Sequence, residues 1–253
     1  AAPTCTITAN KTSPTNASSV TYTFTFSENV TGFTVDDITV TGGTKSTTLG
    51  GSGKTYTLVV TNSGTTTQKV SVAAGKCTDA YGNANTASNT FTMTIDRTGP
   101  TVTVSPTSGT TAKTRNVTIT VADTGGSGLN TSNSYQYYLS TSASALSGGT
   151  WTTYTSGKAF PIGTGITGTR YLFVKRVTDK LGNASTASGS TNTTVSNVVY
   201  HRFGKYVFDN TAPTCKVTAD KTSPTNARSV TYTFTFSENV TGFTVDDITV
   251  TGG

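Results

Sequence analysis

The sequence predicts an all-β chain of tandem β-sandwich domains, the last of them truncated, and three observations carry that prediction. The first is composition: threonine supplies 62 of the 253 residues, while only 12% are charged and 33% hydrophobic. Threonine is β-branched and polar, so it suits the solvent face of a strand and disfavours helix interiors. Low charge with abundant Ser and Gly also occurs in disordered chains. Here, however, 11 Tyr, 11 Phe and many Val and Ile alternate with polar residues, the period of half-buried strands. The second is a repeat. Residues 4–43 recur at 214–253 with changes at four positions only: Thr6/Lys216, Ile7/Val217, Asn10/Asp220 and Ser18/Arg228. A period of 210 residues is too long for a solenoid unit and fits two sandwich domains. The third is the lack of any segment with helical periodicity.

Taken in order, domain one (1–96) opens with Cys5-Ile7-Ala9 and continues with Val20, Tyr22, Phe24 and Phe26, which alternate with Thr21, Thr23 and Thr25. The same period of two runs through Ile38-Val40, Tyr56-Leu58-Val60, Val70-Val72 and Phe91-Met93-Ile95. Turn sequences rich in Gly and Asn (TGG, GGSGK, TNSGT, YGN) separate them. About seven strands in one such span is the count of an immunoglobulin-like sandwich. Its expected core is Tyr22, Phe24, Phe26, Phe91, Met93 and Ile95. Domain two (97–212) offers Val102-Val104, Val117-Ile119-Val121, residues 135–139, the region of Trp151 and Tyr154, residues 171–177, and a long last strand through 195–208. Residues 213–253 are a partial repeat of domain one. The junctions TIDRTGPTV (94–102) and VFDNTAPTC (207–215) both read Asp-x-Thr-x-Pro. Proline there stiffens the link and ends ladder pairing, which predicts an extended rod. The third unit supplies opening strands only, so Tyr232, Phe234 and Phe236 should present an apolar face. A neighbouring repeat or an end-to-end copy would have to complete it.

At this point the chain resembles a known family. FSENVTGFTVDDITVTGG followed by VAAGKCTDAYGNANTAS is similar to a bacterial Ig-like domain of large repetitive cell-surface adhesins, and VADTGGSGL with YLFVKRVTDKLGNAS is similar to a second bacterial Ig-like type. The resemblance implies an extracellular, cell-surface location and a structural or adhesive role as a stalk or fibre segment. Its partners would be neighbouring repeats, with host or cell-wall glycans as further candidates. It also implies that calcium, through the carboxylates of DxxGN turns and linkers, could stiffen the junctions. Asp79, Asp96, Asp179 and Asp209 are the candidate ligands, with Asp123 as a neighbour. Calcium takes six to eight oxygens, and the carboxylate supply at each junction is thin. The alternative is that these residues accept backbone hydrogen bonds in tight turns.

Other chemistry is excluded by inventory. The single histidine, His201, has no His/Cys/Glu cluster for a triad or zinc site, and Glu28 and Glu238 are one repeat position. No Gly-rich stretch has the lysine and following helix of a phosphate loop. No convincing Lys, Asn and carboxyl trio suggests an intramolecular isopeptide bond. The reading is therefore no enzyme, no resident cofactor beyond the calcium question, and no catalytic residue. Nothing approaches the roughly 18 apolar residues that cross a bilayer. The polar start predicts an internal or processed piece of a longer chain.

The net charge of +6 resides in domain two, where ten Lys/Arg face three Asp; domain one is neutral and residues 213–253 carry −1. The positive charge is spread over many elements, which argues against nucleic acid as a partner. Three cysteines leave Cys5 and Cys77 as a pair, with Cys215 as the repeat of Cys5. A Cys5–Cys77 disulfide would stabilise by roughly 3–5 kcal/mol; the alternative is two buried free thiols. Finally, RYLFVKRVTDK is apolar on both strand faces. A bulge at Lys175–Arg176 would turn Leu172, Val174 and Val177 inward and Tyr171, Phe173 and Lys175 outward, near Tyr135, Tyr137 and Arg202. Those residues could bind a glycan or an anionic polymer, or the rings could pack beneath the segment SNVVYHRFGKYVF.

Overall fold

A computed structural model describes residues 1–64 and 66–251. Domain one folds as two antiparallel sheets. Strands β1 (Cys5–Ala9), β2 (Ser19–Phe26), β5 (Thr55–Thr61) and β4 (Thr44–Ser52) form one in the order β1-β2-β5-β4. Strands β3 (Ile38–Thr41), β6 (Thr66–Val72) and β7 (Phe91–Ile95) form the other in the order β3-β6-β7. This is the ABED/CFG arrangement of a constant-type immunoglobulin sandwich. Tyr22, Phe24, Phe26, Met93 and Ile95 are buried as the alternation requires. Phe91 differs from expectation. It opens the edge strand β7, stays half-buried, and packs edge-on against Tyr22 with ring centroids 5.6 Å apart. The Tyr22 hydroxyl donates to Gln68 Oε1, and Gln68 Nε2 donates to Asn62 Oδ1 at 2.8 Å, so these buried polar groups satisfy one another.

Domain two has its own core. One sheet runs β13 (Ala159–Ile162), β10 (Arg115–Ala122), β8 (Thr101–Ser105), β15 (Thr186–Ala187). The other runs β12 (Trp151–Thr153), β11 (Gln136–Ser140), β14 (Gly168–Lys175), β17 (Val198–Phe208), β16 (Thr191–Val195), with β9 (Gly109–Ala112) parallel to β17. The β16–β17 turn is Ser196-Asn197, both at positive φ (50° and 63°), which matches a two-residue hairpin connection. The bulge lies elsewhere than expected. Arg170 pairs Tyr206 and Leu172 pairs Phe203, so the extra residue sits on β17 at Gly204–Lys205. Leu172, Val174 and Val177 nevertheless face the core.

The third unit is the hairpin β18 (Cys215–Ala219) and β19 (Tyr232–Phe236), in the register of its copy: Cys215 opposes Phe236 as Cys5 opposes Phe26. Strand β19 starts three residues later than its counterpart β2, because the β5 equivalent that would pair residues 229–231 is not in the chain. Tyr22 is 0% exposed in domain one, whereas Tyr232 is 55% exposed.

Candidate metal centre at the first domain junction

Domain one ends, domain two begins and two loops of domain two return at one place. Asp96 directly follows β7, Asp123 directly follows β10, and Asp179 opens the turn between β14 and β15. One carboxylate oxygen from each lies within 4.8 Å of the others, and among the described residues this is the one such group of three potential metal ligands. Asp96 and Asp179 are buried and Asp123 is half-buried.

Two of the carboxylates are held by hydrogen bonds, Asp96 from the loop after β10 and Asp179 from its own turn. Asp96 Oδ2 accepts from the Ser127 backbone N–H and hydroxyl, both at 2.7 Å. Asp179 Oδ1 accepts from the N–H groups of Leu181 and Asn183 at 2.8 Å, and its Oδ2 accepts from Asn183 Nδ2. Asn183 Nδ2 also donates to the Asp96 carbonyl at 2.9 Å, tying the linker to the turn. Asn16 Nδ2 of domain one donates to the Leu181 carbonyl at 2.9 Å, and Arg97 donates to the Asn62 carbonyl at 2.7 Å. Two glycines permit this closeness. A Cβ on Gly126, at φ +60°, would stand 2.3 Å from Asp96 Cβ, and one on Gly99 would stand 2.1 Å from the Ala184 carbonyl oxygen.

Asp123 is the odd member. Its Oδ2 is buried and has no hydrogen-bond partner. Burial first, then the charges of Asp96 and Asp179, push its carboxyl above the ordinary aspartate range, against a small downward pull from the Gly128 N–H. Three crowded carboxylates with an orphaned oxygen suit a hard divalent cation that draws further oxygens from backbone carbonyls, the chemistry of calcium.

Of the sequence-stated candidates, Asp96 and Asp179 meet here and Asp123 joins them; Asp79 and Asp209 do not. Asp79 stands in a turn built like that of Asp179, with Tyr81 and Asn83 N–H groups and Asn83 Nδ2 all at 2.8 Å. The Asn83 side chain foremost holds its carboxyl below the usual value. Asp209 lies at the second junction, where its neighbour Asn210 donates to the carbonyls of Lys113, Gly163 and Ile166.

Cys5 and Cys77 are free, buried thiols, and Cys215 is exposed. Burial pushes Cys5 up to about 11, and the nearby Cys77 adds to it; Cys77 is likewise raised to about 11 by burial and then by Asp37. In the outward patch, Tyr171 and Lys175 are half-buried, but Phe173 is 0% exposed and closed to any ligand. It packs with Tyr138 and Tyr200 beneath Leu146, Trp151, Tyr171 and Val195, because residues 141–150 fold over the outer face. His201 is wholly buried between Ser185 Oγ (2.9 Å) and Asn192 Oδ1 (3.1 Å), beyond the reach of a substrate. Among the described residues, no helix is long and apolar enough to cross a membrane.

A family model described as a bacterial Ig-like domain matches residues 1–95 and 209–253. No curated protein matches the chain. Among solved structures, the Escherichia coli adhesin FdeC is similar at 18% identity, with 92% of this chain and 72% of that one covered and a TM-score of 0.43. The mouse nectin-like molecule 4 ectodomain is similar at 10% identity, with 81% and 65% covered and a TM-score of 0.34.

Proposed function

The chain belongs to the bacterial Ig-like domain family, and from that premise we propose that it is a surface-exposed adhesin segment acting as a stiff spacer, its first junction locked by calcium. The observation that supports the reading most is the Asp96–Asp123–Asp179 group, which joins linker, strand end and turn at a single point. A free linker would leave two sandwiches tumbling independently. Here the linker residue Asp96 is held by Ser127 and Asn183 of domain two. Asp96, Asp123 and Asp179 would hold the ion. Its charge would relieve the mutual repulsion of the three carboxylates and give the orphaned Asp123 oxygen a partner. Stiffness follows because both domains then share ligands.

The test is small-angle scattering and thermal unfolding of the whole chain, with calcium and with chelator. At free calcium of about one hundred times its Kd, binding to the native state alone adds about 2.7 kcal/mol. The expected result is a particle about two domain lengths long and a melting temperature that rises with calcium. Asp123→Asn should abolish the calcium response while leaving the chelated protein folded. A compact, nearly spherical particle would overturn the spacer reading. Identical melting with and without calcium would overturn the metal lock alone.

A further inference from the structure

The outer face of the larger sheet of domain two carries two cations, Lys175 and Arg202, with no acid to neutralise them. The ten Lys and Arg of the domain face only Asp123, Asp179 and Asp209. The first two are committed to the first junction and the third stands at the second junction. The sheet between therefore has no carboxylate of its own. Across its outer face, Trp151 opposes Tyr138, Tyr138 opposes Phe173, and Phe173 opposes Arg202. In the next row, Lys175 opposes Tyr200, which opposes Thr193. Lys175 and Arg202 are thus diagonal neighbours on adjacent strands, a step of about 7–8 Å.

Both cations are held in place by neutral partners. Lys175 Nζ lies 4.9 Å from the Trp151 ring centroid and donates to Gln136 Oε1 at 2.6 Å. Arg202 lies 5.6 Å from the Tyr171 ring centroid and donates from Nε to Thr193 Oγ1 at 3.2 Å. Ring faces fix the position of a cation without cancelling its charge. Each therefore keeps donors for an incoming anion, and the rows of threonine on β16 supply hydroxyls beside them.

We infer that this face binds an acidic polysaccharide, its carboxylate or sulfate groups meeting Lys175 and Arg202 while its sugar rings lie along Trp151, Tyr171 and the threonines. The inference rests on the surface location proposed above, since polyanionic glycans are the extended acidic chains met outside cells. The centre of the face is closed by Phe173, buried beneath Leu146, Trp151 and Tyr171, so no nucleobase can enter it.

The experiment is affinity electrophoresis and calorimetry of the whole chain with a polyuronate, with neutral dextran, and with a single-stranded oligonucleotide of matched charge. We expect binding to the polyuronate only, weakened at least tenfold in K175Q/R202Q. Binding should be kept in K175R/R202K and in K113Q/K158Q, which removes the same charge from exposed sites elsewhere on domain two. Unchanged melting of K175Q/R202Q guards against unfolding. Equal loss in K113Q/K158Q would reduce the effect to net charge and overturn the site. Equal binding of dextran or of the oligonucleotide would overturn the ligand class, and no binding at all would overturn the inference. None of these outcomes touches the spacer reading, which scattering tests separately.

Discussion

His201 makes domain two sensitive to mild acid. Asn192 Oδ1 can only accept, so Nδ1 carries the proton and the Nε2 lone pair accepts from the Ser185 hydroxyl. Ser185 Oγ in turn accepts from the Val177 N–H at 3.1 Å, and the Arg176 guanidinium donates to the Ser185 carbonyl at 2.8 Å. A proton on Nε2 would bring a second donor to Ser185 and place a charge in a sealed site close to a guanidinium. Burial first, and then Arg176, lower the imidazole from 6.5 to about 4. A base with a depressed native pKa is protonated first in the unfolded chain. Its contribution to stability is complete above about pH 6.5 and drains away as pH falls toward 4. About 2.5 units at 1.36 kcal/mol per unit gives about 3 kcal/mol. For a domain of this size that corresponds to a melting temperature lower by about 10–20 °C. Calorimetry from pH 7.5 to 4.5 should show the domain-two transition falling while that of domain one, which has no histidine, holds its place down to about pH 5. The single histidine also gives a single imidazole signal by NMR. A native midpoint near 6.5, or an unchanged acid slope in His201→Gln, would refute the argument.

Phe24 is fully buried beside Phe33, so Phe24→Ala should cost roughly 3–5 kcal/mol, while Thr25→Ala on the exposed face should stay within about 0.5 kcal/mol; denaturant melts giving the opposite ranking would invert the strand's facing. Oxidative refolding should join Cys5 to Cys77, lower the mass by two hydrogens and raise domain-one stability by roughly 3–5 kcal/mol; an unchanged mass under oxidant would remove the bond. In the third unit, chymotrypsin should cut after the exposed Tyr232 quickly and leave the buried Tyr22 intact. Extending the chain with the sequence of residues 44–96 should abolish that cut, and resistance of Tyr232 in the present chain would overturn the open-face reading.

The fold was legible wherever one face of a strand is apolar. Strand β2 writes its burial directly, in that Val20, Tyr22, Phe24 and Phe26 are all 0% exposed. Strand β4 was missed because TKSTTLGGS has only Leu49 to turn inward. As the edge of its sheet it is defined by pairing with β5 rather than by burial. Strands β13 and β16 were missed for the same reason, each on the rim of its sheet with few buried positions. In β14, apolar residues on both faces announced two layers of packing. No local signal showed that residues 141–150 would close over Phe173, because that depends on where a distant loop lands.

The metal centre was half legible, and the missing half has a structural cause. Asp96 and Asp179 carry sequence marks, the linker Asp-x-Thr-x-Pro and the Asp-x-x-Gly-Asn turn, and both marks recur, as Asp209 at the second junction and Asp79 in domain one. Asp123, within VADTGGSGL, counts in the sequence only as a neighbour of the candidate ligands, since one acidic residue after a strand is common in any β protein. What gives it meaning is position. It follows β10, the second long strand of its sandwich, at the end where the preceding domain docks. Glu28 and its copy Glu238 occupy the corresponding place after β2 and β19. At the second junction Asp209 and Glu238 line one cavity with Thr111, Thr167 and Ser237. The two joints thus use the same pair of places, a linker carboxylate and a carboxylate after the second strand. At the first joint the turn carboxylate of Asp179 brings the charges together. Sequence marks for linkers and turns report local backbone chemistry. The third ligand is set by which loop end faces a neighbouring domain, a property of how sandwiches stack end to end rather than of any residue's own neighbours in the chain.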